Sequence, residues 1–260
     1  MLSKWEGIVI RTIPYGETNK IVTLFTEEAG KVTAMARGAK KPRSKLSAVT
    51  QPFTFGHYLI RQGRGMGTIS QGDTILSMRY VRENLEATAY ASYIVELIDK
   101  LVEQNIRSTS IYTLLADALK AINDEYPPEV ITLFVEWKML QVAGVHAILN
   151  ECASCGAMDG EFGFSFQEVG FICHRCFHRD RYVVRLAPTH IRLIRMFATV
   201  PIQQIGDISL KKETVQLLSK IVRTLYDEQT GIYFKSRKFL ETLEQTPELQ
   251  SIKKDSKDDI

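Results

Sequence analysis

The sequence predicts an α+β multidomain chain: a small closed β-barrel first, then an all-α helical domain carrying an inserted four-cysteine zinc finger. Three observations predict it. Short β-rich runs broken by Gly and Pro fill residues 1–80, the hydrophobic period changes from two to about 3.6 near Asn84, and two Cys-x-x-Cys pairs follow. With 260 residues, 45% hydrophobic and 24% charged, the chain has ample material for a core. No run reaches the roughly 18 apolar residues of a membrane helix, and Met1-Leu2-Ser3-Lys4-Trp5-Glu6 lacks a signal-peptide core. A cytoplasmic location without membrane partners is expected.

Strands come first. Gly7–Ile13 is β-rich and Pro14-Tyr15-Gly16 punctuates its end. Lys20–Thr26 and Lys31–Ala36 flank Glu27-Glu28-Ala29-Gly30, a hairpin signal. Phe53–Arg61 and Thr68–Met78 follow, the latter interrupted by Gly72-Asp73. About five such strands suit a barrel better than an open sheet. Helices follow, with Leu85, Ala89, Tyr93, Leu97 and Leu101 as the stripe of the first. Ser110 is a candidate cap for the second, Pro127-Pro128 opens the third, and Gly144 suits its end. Helices resume at Pro188–Thr199, Ser209–Tyr226 and Ser236–Gln245. The expected divisions are 1–80 (barrel), 81–149 (helical, first part), 150–182 (four-cysteine module), 183–248 (helical, second part) and 249–260, a tail with nothing to bury.

Cys152, Cys155, Cys173 and Cys176 are all the cysteines of the chain, in two pairs separated by seventeen residues. Each pair has the spacing that lets two thiolates reach one tetrahedral ion, and Phe162–Phe166 with Gly170–Ile172 reads as a hairpin between them. Two disulfides are the alternative, disfavoured in a reducing cytoplasm. Four thiolates leave no open position, so one structural zinc is expected. Arg175, Arg179, Arg181 and Arg185 either offset its charge or touch DNA, while His174 and His178 read as surface residues.

Charge is uneven. Residues 1–80 hold twelve Lys/Arg against five Asp/Glu, net +7, and the remainder twenty-one against twenty-five, net −4. Such asymmetry suggests a polyanion partner, a solvated basic face being the competing reading. Arg37, Lys40, Lys41, Arg43 and Lys45 place five cations in nine residues, in a barrel loop where Gly and Pro oppose regular structure. Arg61, Arg64 and Arg79 lie on or beside other predicted strands, and Arg11 on the first. Tyr15, Phe53, Phe55 and Tyr58 are aromatics for stacking bases, with core packing the alternative for Phe53 and Phe55. The sequence has no phosphate-binding Gly-Lys-Ser/Thr loop and no His-Glu-x-x-His, and Gly63-Arg64-Gly65-Met66-Gly67 has the wrong spacing for a dinucleotide loop. A deaminase His-x-Glu is missing too. The chain therefore reads as a binding protein, not an enzyme.

The stretches Gly7-Ile8-Val9-Ile10-Arg11, Leu24–Lys31, Ala36–Pro42 and Gln51-Pro52-Phe53 closely resemble the amino-terminal domain of the RecO family. Cys152–Gly156, Gly170–Cys176 and Lys235–Leu240 resemble its later part, so the likeness runs in order along nearly the whole chain. The resemblance implies an OB-fold barrel, then a helical domain with the zinc finger. It implies a recombination mediator in DNA repair that binds single- and double-stranded DNA, anneals complementary strands and works near the nucleoid. Its implied partners are RecR and single-strand-binding protein, with RecA loaded indirectly. The residues alone stop earlier, at a nucleic-acid-binding barrel with a structural zinc module. An RNA-binding translation or ribosome-associated factor meets the same description.

Overall fold

The computed structural model describes residues 2–63, 65–206 and 208–245. Arg64 and the expected tail, 249–260, lie outside them. The chain divides into two compact units, Met1–Pro128 with Phe234–Ile260, and Glu129–Tyr233.

In the first unit, strands β1 (Leu2–Tyr15), β2 (Asn19–Thr26), β3 (Gly30–Ala36), β4 (Phe55–Gly63) and β5 (Gly65–Leu76) close into a barrel of order β1-β2-β3-β5-β4. A bulge between Val9 and Arg11 bends β1, so its first half pairs with β4 and its second with β2. Closure rests on a parallel pairing of β3 with β5 that spans Ala34–Ala36 and Gly67–Ile69. Alternation sends Val9, Val22, Leu24, Ala34, Ile60 and Ile69 inward, where they form one cluster with Tyr58.

Gly72-Asp73 does not interrupt β5. Tyr58 pairs with Gly72 and His57 with Asp73, and the register slips instead near Ser70 and Ile75. The glycine serves packing. A Cβ there would come within 3.0 Å of both Val49 methyls, on the short helix α1 (Lys45–Val49) that plugs the barrel. Tyr58 fastens this plug: its buried hydroxyl donates to the carbonyls of Val49 (2.9 Å) and Thr54 (3.3 Å).

After α2 (Arg79–Glu83) come α3 (Leu85–Leu101) and α4 (Thr109–Asn123). Asn84 caps α3 by accepting from the Ala87 N–H at 2.9 Å. Leu85, expected in the stripe, stands 55% exposed; in the first turn its side chain falls short of the core. Ser108, two residues before the expected Ser110, occupies the cap position of α4. Outside the barrel wall, Tyr112 of α4 packs on Phe25 and Phe55, with ring centroids 6.2 and 6.4 Å away. Its hydroxyl donates to Glu6 at 3.1 Å. The helix α8 (Lys235–Gln245) lies on α3, led by Phe234, which meets the Tyr93 ring edge-on at 5.9 Å.

In the second unit, α5 (Pro128–Val142) is buried on every side from Val130 to Trp137, so a one-sided stripe understates it. Gly144, at φ +81°, ends this segment as expected. Within α5, Glu136 is fully buried and accepts from the Arg223 guanidinium at 3.1 Å. Arg223 belongs to α7 (Lys212–Thr230), which begins three residues later than expected; α6 (Pro188–Thr199) begins and ends where the sequence placed it.

Tyr58→Phe removes the hydroxyl that holds α1 and takes the donor from the Val49 carbonyl, while the Thr54 carbonyl keeps the Val9 N–H at 3.0 Å. It should cost about 1–2 kcal/mol, read as a lower urea midpoint at unchanged slope. An unchanged midpoint would mean that α1 is held by packing alone. The attachment of α8 should depend on pH. Burial alone would raise the Glu96 carboxyl, but the Ser236 hydroxyl, the Ser236 and Lys235 N–H groups and the Lys100 ammonium outweigh it and hold it below its ordinary value. A depressed carboxyl contributes stability above the unfolded value, near pH 4.3, and loses it as pH falls through the folded one. Protection of the α8 amides, taken relative to the intrinsic exchange rate at each pH, should therefore fall on acidification, and Glu96→Gln should remove that dependence.

Candidate nucleic-acid interface and metal centre

Two loops meet at one end of the barrel. The β1–β2 turn carries Tyr15, and the segment leaving β3 carries Arg37, Lys40, Lys41 and Arg43. They are tied by the Gly38 N–H to the Asn19 side chain (2.9 Å), the Lys40 N–H to the Thr18 carbonyl (2.8 Å), and the Lys40 ammonium to the Gly16 carbonyl (3.1 Å). Gly38 sits at φ +67°, which turns the chain sharply after β3. Ala39 is fully buried in the barrel cluster between half-buried Gly38 and exposed Lys40, so the segment is pinned where the sequence suggested an irregular loop. Turns continue to Ser44, whose hydroxyl accepts from the Leu46 N–H at 3.2 Å and starts α1. Arg37, Lys40, Lys41, Arg43 and Lys45 are all exposed, and so is Tyr15.

The other expected cations are placed by register. Ile13, Ile21, Met35, Thr68 and Arg61 are successive partners across four pairings, and residues directly opposite share a face. This puts Arg61, which is exposed, on the outer face of the sheet, where it stands opposite Leu2 of β1 and not beside Arg11. Arg11 lies 3.9 Å from Asp99, which also holds the buried Lys31 at 3.0 Å. Part of the basic charge of residues 1–80 is therefore neutralised inside the unit. Lys20, which the sequence did not single out, joins the cationic end because it pairs with Ala36, and it donates to Thr50 at 3.3 Å.

The aromatics divide: core packing, the alternative for Phe53 and Phe55, holds for both, and Tyr58 departs from the stacking expectation. Phe53 (6% exposed), Phe55 (6%) and Tyr58 (0%) are core residues. Phe53 precedes β4 at φ +67° and shares no strand with Phe55. Tyr15, 51% exposed, is the one of the four open to a base.

In the second unit the four cysteines converge. Their sulfurs all lie within 4.8 Å of one another, and none is in a disulfide. One knuckle is closed by the Gly156 N–H on the Cys152 carbonyl (2.8 Å), with Gly156 at φ +72°. The hairpin of β6 (Phe162–Ser165) and β7 (Gly170–Cys173) brings Cys173 back, and a 3₁₀ turn over His174–Arg179 presents Cys176. The sheet is completed by β8 (Val184–Arg185). Buried Asp180 braces that turn, accepting from the Ser165 hydroxyl (2.6 Å) and the Tyr182 N–H (2.7 Å). Sulfurs about 2.3 Å from a common tetrahedral ion stand about 3.8 Å apart; Cys155 and Cys173 stand 3.7 Å apart. The donor set thus fits one tetrahedral metal ion.

The environment favours thiolates. Burial pushes the Cys152 thiol up, yet N–H groups of Cys173, Ser154 and Cys155 bring it down to about 6. Burial also pushes the Cys176 thiol up, to about 12, and hydrogen bonds with the neighbouring thiols of Cys155, Cys173 and Cys152 add to the rise. Arg175 is held above its ordinary value by hydrogen bonding to Cys173 and by the charges of Cys173 and Cys155. His174 and His178 are exposed and lie outside the four-sulfur cluster. Arg179, Arg181 and Arg185 are exposed, with Arg185 stacked 5.2 Å over the Phe177 ring.

These features agree with the comparisons. Residues 1–78 match the family description "Recombination protein O N terminal" and residues 82–238 match "Recombination protein O C terminal". The DNA repair protein RecO of Bacillus subtilis is 48% identical over 244 residues, covering 94% of this chain and 96% of its own. That of Bacillus pumilus is 45% identical over 249 residues, with 96% and 97% covered. That of Listeria welshimeri is 42% identical over 257 residues, with 99% and 100% covered. With both parts matched in chain order and the whole length shared with such relatives, the chain belongs to the RecO family.

Proposed function

We propose that this chain is a DNA-binding recombination mediator of DNA repair, a binding protein and not an enzyme. It takes up single- and double-stranded DNA, anneals complementary strands and, with RecR, assists loading of RecA onto strands coated with single-strand-binding protein. The family membership and the names of the relatives support the repair role. The observation that carries the DNA contact is the pinned cluster of Arg37, Lys40, Lys41 and Arg43 beside exposed Tyr15. Cations held by backbone hydrogen bonds meet phosphates with little ordering cost, and phosphate contacts carry no sequence information. Neutralising both strands lowers their mutual repulsion, which is the electrostatic requirement of annealing. Arg11, Lys45, Arg61 and Arg64 extend the proposed surface. We assign the four-sulfur centre to one structural Zn²⁺, since thiolate donors in a closed tetrahedron suit that ion and leave no position for substrate. The protein is placed in the cytoplasm, at the nucleoid.

Metal analysis under reducing conditions should find about one zinc per chain, and Cys→Ser at any of the four positions should destabilise the second unit. Metal-free protein with paired disulfides would overturn the assignment.

Affinity for single-stranded DNA should depend strongly on salt and little on sequence. With about five phosphates neutralised, log affinity falls against log salt with a slope of roughly −3.5. Arg37→Ala/Lys40→Ala/Lys41→Ala/Arg43→Ala should weaken binding and annealing and flatten that slope, with zinc content unchanged. Should this variant bind normally while Arg175→Ala/Arg179→Ala/Arg181→Ala fails, the contact belongs to the zinc module instead. RNA competing as well as single-stranded DNA would favour an RNA-binding role.

A further inference from the structure

We propose that the mouth of the barrel is a pocket for a single unstacked nucleobase, held against Trp5. The inference rests on the nucleic-acid reading above and extends it to a second site.

The pocket arises from the way the barrel closes. The parallel pairing of β3 with β5 begins only at Ala34 and Gly67. Before that point β3 parts from the β4–β5 hairpin and leaves an open cavity of about 390 Å³. This is at the small end of ligand pockets, suited to one nucleotide unit. Its floor is apolar, made by Val32, Ala34 and Ile60 of the barrel cluster. Half-buried Trp5 packs against that cluster and forms an aromatic wall.

The rim supplies hydrogen-bonding groups without charge. Gln62, Gln104 and Asn105 line it, and a primary amide offers donors and an acceptor side by side. The Lys31 carbonyl is taken by the Asn105 N–H at 2.9 Å, on the side of β3 away from β2. Backbone groups two residues apart in a strand point the same way, so Thr33 turns its peptide edge into the gap. At the hairpin tip, a Cβ built on Gly63 or Gly65 would meet nothing within 4 Å. A bare backbone there admits a flat ligand at close range.

Each described residue lining the cavity is uncharged, so the groups it offers are amides, backbone and an aromatic face. An aromatic face, paired donors and acceptors, and a space for one planar group match a nucleobase. Arg61 is adjacent in sequence to Gln62 and exposed, within a strand's reach of the attached phosphate. An extended peptide added to the open edge of β3 is the competing occupant, and the aromatic wall and small volume favour the base.

The test uses the full chain with an end-labelled oligodeoxythymidylate of about twelve nucleotides and an abasic oligomer of equal length. Trp137 is 2% exposed, so a change in tryptophan emission reports Trp5. The thymidylate should bind more tightly than the abasic strand and alone perturb the emission. Trp5→Leu should weaken thymidylate binding roughly 5- to 100-fold, leave abasic binding unchanged, and be largely rescued by Trp5→Phe. If Trp5→Leu fails to fold, the exposed Gln104→Ala should still lower the preference for intact strands. Equal losses for both strands, or no difference between them, would overturn the pocket, and a peptide occupant predicts that equality. If neither strand binds the wild-type chain at low salt, the nucleic-acid reading fails, and the pocket with it.

Discussion

The first unit depends on one short seam, the parallel pairing of Ala34–Ala36 with Gly67–Ile69. Without it β3 and β5 would each present an open edge, a template for association with other chains. With it the inward residues of all five strands enclose a single cluster. Small residues make the approach possible: a Cβ on Gly67 would already touch Ile60 at 3.1 Å, and Ala34 and Ala36 stand opposite. The same seam sets both proposed DNA contacts. Where it ends, after Ala36, the chain turns into the cationic segment; where it has not yet begun, the barrel gapes beside Trp5.

The run of five strands, the β2–β3 hairpin, the four-cysteine module and most helices were legible because each rests on local pattern. Alternation, turn residues and ligand spacing all act within a few residues. What the sequence left hidden depends on distant partners. Gly72 reads as a break, yet it clears space for Val49. Tyr58 looks like a stacking residue until its hydroxyl is found buried on α1, and for Phe55 the choice between stacking and core packing is made by the distant Tyr112. Net charge misleads in the same way, since Lys31 and Arg11 are counted as basic while Asp99 faces both. Five cations in nine residues were visible, but their tie to the Tyr15 turn through Asn19 and Lys40 needed coordinates.

The cysteine centre illustrates a different constraint. Four sulfurs this close cannot all carry charge unaided: burial raises both Cys152 and Cys176, and backbone N–H groups bring only Cys152 back down. A divalent cation resolves the conflict and leaves a formal charge of −2, for which exposed Arg175 is the nearest compensation. Charge balance thus occupies at least one arginine of the module, whereas Arg37, Lys41 and Arg43 face no carboxylate within ion-pair distance among the described residues. Arg179 and Arg181 face none either, so the proposed assignment to the barrel rests on the four cations concentrated in one segment that hydrogen bonds pin beside Tyr15.

Phosphate contacts and a base pocket would do different work for a protein that pairs strands. Cations at the barrel end would attract single strands and duplex alike, because both carry the same backbone. A base could enter the proposed pocket beside Trp5 only when it is unstacked and unpaired, so that contact would belong to single strands. Pairing would then withdraw the base from the pocket without disturbing the phosphates. A strand would be held more firmly before annealing than after it, and formation of the duplex would itself loosen the grip. An arrangement that read base identity would lose this advantage, since annealing must serve any sequence.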